Sequence, residues 1–526
     1  MNAGISLLSA KLGFRLFAYI FNCSDESAKR LLSGERSAEA NEQNLINQIE
    51  TELLNIHLHM AGRDDTDFVA FIEISRWFAD GSHIFNDWRI SMGGIIGVVE
   101  SDDPIVDAVN RMASKVYPLF LIEKPNGPRW DVACYNDVTS AIYSLPESEE
   151  ICALWKDCEL LSKLLSNDDN PQLSVATSTG NCGGAQLPLI PSMLINNAFL
   201  LMKLRGELSV EHLADATEHV VRLIRSAAAG VRVDVPVFLG YNNVGLANGV
   251  EIVTQWGTAK PYNENSAYFA PNITSVTNYE DGEVRLGFIF EGFYKYLIQF
   301  PFEPKIDSPQ KWPDNFHRCR EQSERVAQDI SICFSISILR PQPVGLALAW
   351  TIIFDPLRQG SGVSRAPHPQ SFAAHYIIDG KNDVSAWCGR MCAVVDDSIN
   401  LAKRRIVSAM NERRNPEDGF VDAIIAWENL FGGGRELSYR IAVSFAKLLS
   451  ENVTTRTEIF KNVVAQYNLR SSLVHGRGST GRNRFREMAE ARDESVNLAL
   501  DSLRILYSSR PDLITDQNRA QTLSLE

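Results

Sequence analysis

The chain has little that would tie it to an oxidising compartment, a membrane or a metal. Its nine cysteines are odd in number and scattered without tight pairs, which excludes a disulfide framework and points to free thiols. Cys388 and Cys392 stand four apart, a spacing that makes one helix face rather than a zinc knuckle, so buried thiols are expected there. His57 and His59 carry no metal pattern either. No signal-peptide pattern opens the sequence. The apolar run from Gly345 to Phe354 is too short to span a bilayer, and Arg340, Pro341 and Pro343 cut off its upstream extension, so it reads as a buried strand or helix. The expectation is a cytoplasmic protein with no membrane partner, no metal and no cofactor.

Positive charge is also scarce. A formal net charge of -14 over 526 residues excludes a protein that coats nucleic acid non-specifically, because an acidic surface repels phosphate. The imbalance is uneven. From residue 401 onward there are 19 Lys and Arg against 16 Asp and Glu, so the C-terminal segment is slightly basic and the remainder carries about -17. The length implies about three domains, and a 45% hydrophobic composition supplies cores for them. No internal repeat is present.

In chain order, Phe14, Leu16, Phe17 and Ile20 form an apolar helical stripe. Asn22-Cys23-Ser24 makes a turn with Ser24 as N-cap, and Ala28, Leu31 and Leu32 lie on a second helix ended by Gly34. This is the spacing of a repressor-type helix-turn-helix, which would touch DNA; the alternative is a helical cap or protein-docking module, since Asp25 and Glu26 would face phosphates. Residues 63–385 read as mixed α/β. Strands are expected over Gly94–Val99, Leu119–Glu123, Val231–Leu239, Val250–Gln255 and Val284–Phe302, with helices over Leu194–Leu204 and His212–Ala228. Glu147–Glu150, Asn167–Gln172 and Ser178–Gly184 read as loops. The last is glycine-rich but lacks the Lys-Ser/Thr ending of a P-loop. Pro356–Lys381 is the best domain boundary.

Residues 386–510 read as an antiparallel helical bundle. One long helix is expected over Ala386–Arg413 and a second through Phe420–Phe431, stopped by Gly432. A third spans Glu436–Ser450, a fourth opens on a Thr455/Glu458 capping box, and a fifth covers Arg484–Ser508. The fold class is therefore multidomain α+β, with a helix-turn-helix-like piece over 1–62, a mixed α/β region over 63–385, an all-α bundle over 386–510 and a tail over 511–526.

The chemistry gathers near the end of the fourth helix, in Arg470-Ser471-Ser472-Leu473-Val474-His475. A guanidinium can neutralise a pentacoordinate phosphate, and an imidazole titrating near neutrality can move protons on a 2'-hydroxyl or a leaving oxygen, with no divalent ion. Arg470 could instead be a helix-terminal cation, and His475 a satisfied core histidine. A glycine-rich basic stretch carrying Arg477 and Arg482 comes directly after His475 and suits a phosphate backbone. Its GxGxxG spacing has no strand before it and no dinucleotide meaning. Glu428 falls on the stripe expected to be buried, where a carboxylate needs a cation, either Arg470 or Arg440.

Ala426-Trp427-Glu428-Asn429-Leu430-Phe431 in one helix, and Tyr467 to Gly476 with its Arg, four residues and His in another, resemble the HEPN superfamily, most closely its Apea-like branch. The resemblance covers about residues 386–510. It implies a metal-independent endoribonuclease that leaves 2',3'-cyclic phosphate ends, with tRNA a frequent target, acting to halt phage infection. Arg470 and His475 would be catalytic with Glu428 orienting the arginine, and Ser471, Arg477, Arg482 and Arg440 would contact RNA. The implied partners are RNA, a phage protein or nucleic acid as trigger, and a second copy of the chain. The alternative is a bundle that only dimerises, joined to DNA-binding helices.

Overall fold

The computed structural model describes residues 13–59, 74, 77–79, 81–122, 142–167, 169–181, 184–206, 208–262, 275–278, 282–302, 312–358, 363–365, 376–380, 383–433, 436–475 and 484–526. The chain is mixed α and β, with small sheets and a C-terminal helical region. It divides into two compact units. One comprises Met1–Val235, Lys295–His317 and Ile353–Val363; the other comprises Pro236–Tyr294, Arg318–Ile352 and Ser364–Glu526. The boundary read at Pro356–Lys381 thus contains a passage from one unit to the other. The C-terminal helices share their unit with strands of the middle region.

The first unit opens with α1 (13–20) and α2 (Asp25–Ser33), joined by the turn that the sequence suggests. The Ser24 hydroxyl accepts from Ser27 N–H, and Gly34 closes α2 at φ 81°, a left-handed position natural to glycine. α3 (Ala40–His59) and α4 (Ile84–Ser91) come next. α5 (Pro104–Leu121) packs against α6 (Pro146–Asp157), α7 (Ile190–Arg205) and α8 (Val210–Ala228). Asp103 caps α5 by accepting from Ile105 and Val106 N–H, and it also binds Arg225 of α8. Burial works to raise the Asp103 carboxyl, but Arg225 and the two amides hold it below its usual value. The apolar window Leu187–Arg205 is long enough to cross a membrane, yet 83% of it is buried inside the protein. It is a core helix packed between its neighbours.

Three expectations fail in this unit. Residues 94–100 form no regular element, because Gly94 N–H and Arg89 Nε fold the segment back onto the end of α4 through bonds to Arg89 O and Ile95 O. Leu119–Leu121 is the last turn of α5; a short apolar run buried on all sides has the same composition in a helix as in a strand. Glu147–Glu150 is the first turn of α6, where Pro146 occupies the start and the carboxylates face the helix's positive end. In the Ser178–Gly184 stretch, Gly180 N–H bonds Thr177 O, and Thr177 and Thr179 turn their hydroxyls onto the buried Asp355. The described part is a structural turn.

The second unit holds most of a six-stranded sheet built from β1 (Val233–Asn242), β2 (Ile252–Thr254), β3 (Gly257–Pro261), β4 (Gly287–Tyr296), β5 (Ala347–Ile353) and β6 (Val363–Arg365). Their order is β6-β5-β1-β4-β3-β2, with β4/β3 and β3/β2 antiparallel. The apolar run Gly345–Phe354 accordingly supplies an interior strand. Trp350 lies flat on Gly240, where any Cβ would fall 2.1 Å from its ring. α9 (Asp314–Ser337) packs its Phe334 on Phe288 of the sheet, ring centroids 4.8 Å apart.

The expected long helix over Ala386–Arg413 is broken. α10 (Val384–Cys392) ends, a 3-10 turn covers Asp397–Ile399, α11 (Asn400–Val407) restarts and a π turn, Ser408–Glu412, closes it. The break turns Asp396 inward. Lys403, with a fully buried side chain, donates to Asp329 at 2.5 Å and to Asp396 at 2.7 Å, and Tyr507 and Arg325 also donate to Asp396. Burial raises the Asp329 carboxyl; at Asp396 burial is outweighed by Lys403, Tyr507 and Arg325, which leave that carboxyl lowered. Cys388 is buried as expected, but Cys392 is exposed because it sits on the final turn of α10.

α12 (Pro416–Phe431), α13 (Leu437–Leu449), α14 (Val453–Val474) and α15 (Arg484–Ser508) match the expected helices. The Thr455/Glu458 capping box is replaced by Asn452, whose side chain accepts from Thr454 and Thr455 N–H. The expected tail forms α16 (Pro511–Thr515) and α17 (Arg519–Leu525), which packs on α13.

Lys403→Ala would leave Asp329 and Asp396 facing each other without their buried cation. The expected cost is about 3–5 kcal/mol, read as a lower midpoint in thermal unfolding. A midpoint equal to the wild type's would show that the network is not what holds the broken helix in place.

Candidate active site

Glu428 owes its position to the residue beside it. Asn415 caps α12 through Glu417 N–H, Pro416 starts the helix, and Gly432 ends it with a 2.7 Å bond to Glu428 O. Within it Trp427 is fully buried, packed 5.0 Å from the Phe445 ring and bonded through Nε1 to Ser495 O. One residue along a helix turns about 100°, so Glu428 leaves the buried stripe and lies at its edge. Its side chain is 24% exposed rather than enclosed.

α14 faces it. Tyr467 and Arg470 are three residues apart and therefore neighbours on one face. Tyr467 Oη donates to Glu428 Oε1 at 2.8 Å, and Arg470 Nη2 lies 3.9 Å from the same oxygen. Burial and the Glu428 bond push the Tyr467 phenol up to about 12, so it remains a donor across the physiological range. The Arg470 guanidinium is half-buried, and its Nε is enclosed with no hydrogen-bond partner among the described residues.

The structure therefore brings Glu428 to Arg470 and not to Arg440, whose Nη1 instead donates to Gly433 O at 2.7 Å and ties down the chain after α12. His475 is the residue on which α14 ends, and it is exposed. Its N–H still bonds Ser471 O, so the helical path carries through to its Cα. Arg470 and His475 are thus separated by about 7.5 Å of rise and about 140° of rotation. Ser471 is half-buried between them. Arg477 and Arg482 lie outside the described residues.

Tyr467 is the contact that sequence reasoning missed. The available signal was its place three residues before Arg470, which puts any shared partner within reach of both. The arrangement supplies an anchored carboxylate, a half-sheltered cation with unused donor capacity, and an exposed imidazole at a helix end. Such groups can bind a phosphodiester, offset charge on phosphorus and transfer protons. Comparison with protein-family models, with curated proteins and with solved structures finds no match to this chain.

The two partners of Glu428 differ in weight. A double-mutant cycle of Tyr467→Phe with Glu428→Gln is expected to give a coupling of about 1–2 kcal/mol, as for a hydrogen bond to a charged group. Arg470→Ala with Glu428→Gln is expected to give about 0.5 kcal/mol or less, the usual size for a loose, partly exposed ion pair. Equal couplings would contradict the geometry. Because folding raises the phenol's value, its contribution is complete below pH 10 and is lost as the pH rises towards about 12.

Proposed function

We propose that the protein is a metal-independent endoribonuclease with a HEPN-like C-terminal bundle, acting as an effector of antiphage defence on RNA, tRNA included. The observation that carries this reading is a half-buried Arg470 beside Glu428, on the helix that ends at an exposed His475. In the proposed reaction an imidazole removes the proton from a ribose 2'-hydroxyl, and the 2'-oxygen attacks the adjacent phosphorus. The bond from phosphorus to the 5'-oxygen breaks, and a protonated imidazole supplies that oxygen's proton. Arg470 offsets the negative charge that gathers on the phosphorane. The products are a 2',3'-cyclic phosphate and a 5'-hydroxyl.

The site is proposed to form where two copies meet about a two-fold axis, so that an arginine of one copy and a histidine of the other act on one phosphate. Two features of α14 support this. The offset of about 140° prevents one helix face from aiming both Arg470 and His475 at one phosphate. Val463 is the single fully buried residue on this 22-residue helix, which leaves its apolar side chains Ile459, Val464 and Leu473 only half-covered by the chain itself. Residues 1 to about 380, acidic beside a slightly basic effector, are proposed to sense a phage-derived trigger and to restrain the nuclease.

His475→Ala and Arg470→Ala are each expected to abolish cleavage of RNA with the melting temperature preserved, and a chelator is expected to leave wild-type cleavage intact. Mixed subunits of the two inactive variants are expected to recover part of the activity, since one groove would then hold one intact arginine and one intact histidine. Activity lost to a chelator and restored by magnesium would overturn the mechanism. A monomer that cleaves at a rate linear in its concentration would overturn the shared groove.

A further inference from the structure

Asp422 is only 3% exposed, yet it is the meeting point of two arginines that reach solvent. Arg405 Nη1 donates to its Oδ1 at 2.6 Å, Arg413 Nε donates to its Oδ2 at 2.6 Å, and Ser408 Oγ adds a bond to Oδ2 at 3.0 Å. One carboxylate cannot neutralise two guanidinia, so the group carries a net positive charge at the surface. The two side chains are 30% and 42% exposed. Arg405 Nε is enclosed without a hydrogen-bond partner among the described residues.

The backbone between the two arginines is arranged to bring them together. Over eight residues an α-helix turns about 800°, which leaves the ends about 80° apart. The π turn Ser408–Glu412 uses more residues per turn, absorbs that excess and returns Arg413 to the face of Arg405. Arg404 and Arg414 add exposed positive charge along the same segment, while Glu412 and Asp418 act on Arg413 and keep the local field short in range. All of this lies in the one net-basic segment of an acidic chain.

We infer that Arg405 and Arg413, spread by Asp422, form a clamp for a backbone phosphate of single-stranded RNA, separate from the Arg470 site. The assignment of RNA rests on the proposed nuclease function; the clamp geometry does not. Two planar guanidinia fixed by a buried carboxylate present fork-shaped donors with little side-chain freedom left to lose, which favours phosphate over a diffuse cloud of counterions. Asp422 is six residues before Glu428 on α12, about 9 Å along the axis and about 120° round it. A strand held there would be gripped beside the reacting phosphate and would not itself be cut at the clamp.

The test uses the full chain and a fully 2'-O-methylated single-stranded RNA, which lacks the attacking hydroxyl and cannot be cleaved by this chemistry. Binding is measured by fluorescence anisotropy over a range of salt. Arg413→Gln is expected to weaken binding about threefold to tenfold, and each lost arginine to reduce the salt slope by about 0.7. Arg413→Lys should recover part of the affinity. If Arg405→Gln/Arg413→Gln fails to fold, Arg413→Gln alone decides, because Arg405 and Ser408 still answer Asp422. A folded Arg413→Gln protein with wild-type affinity and salt slope overturns the clamp. Wild-type protein that binds this RNA through the arginines but cleaves no unmodified RNA, either purified or in phage-infected cells, would sink the nuclease reading and leave the clamp standing. Cleavage that is unaffected by a binding-neutral Arg413→Gln change would do the reverse.

Discussion

A carboxylate drawn below the surface of a helical bundle must be met by donors, and three carboxylates at graded depth pin side chains of the second unit in this way. Asp396 is answered by Lys403, Arg325 and Tyr507, Asp422 by Arg405, Arg413 and Ser408, and Glu428 by Tyr467 with Arg470 nearby. Removing a buried charge's partner costs more than forming the pair returns. Each carboxylate therefore fixes the position of cations that the apolar core alone would leave free to move. The three sites differ in depth. Asp396 sits inside with a fully buried lysine, Asp422 is enclosed but opens to solvent through its arginines, and Glu428 stands at the edge. The gradient runs from structural pin to chemically available cation.

Helices that bury one face against neighbours were legible in the sequence. α8, α12 and α15 announce themselves through apolar spacing and through their start and stop residues. The break after Cys392 was not legible, because Asp396 is held inward by Arg325 more than sixty residues earlier, by Tyr507 more than a hundred later, and by Lys403, which is itself held in the interior by the distant Asp329. No local window contains that information. The strand expected over Leu119–Glu123 failed for a different reason: burial on every side erases the periodicity that separates helix from strand. At Gly94–Val99, valine and isoleucine satisfied a β pattern, but a strand also needs a partner, and the segment folds onto the end of α4 instead.

The candidate site was partly legible, and the division tracks residue spacing. Tyr467 and Arg470 share a face by helix geometry alone, and Glu428 could be placed near the buried stripe of its own helix. Which cation Glu428 meets depends on how α14 crosses α12, and α14 packs mainly on α13, where Tyr439 meets Phe460 edge to face with ring centroids 5.7 Å apart. The same reasoning explains why Arg440, also a reasonable partner from sequence, is occupied elsewhere: the chain after α12 presents Gly433 O to it first. Asp422 and its arginines left no readable pattern, since the π turn that aligns Arg405 with Arg413 has no marker residue.

α12 links the two cation sites mechanically. It carries Asp422 and Glu428 on one rigid span, so the separation between the two carboxylates that meet these cations is set by helix geometry. Trp427 locks the rotation of that helix through its bond to Ser495 O and its contact with Phe445. A slip of α12 by one residue would turn Glu428 away from Tyr467 by about 100° and would strip Asp422 of its arginines in the same movement. The two sites cannot be lost independently through motion of this helix. A charged ligand bridging them would therefore oppose the slip, stabilising the bundle by an amount that grows with the logarithm of ligand concentration above its Kd.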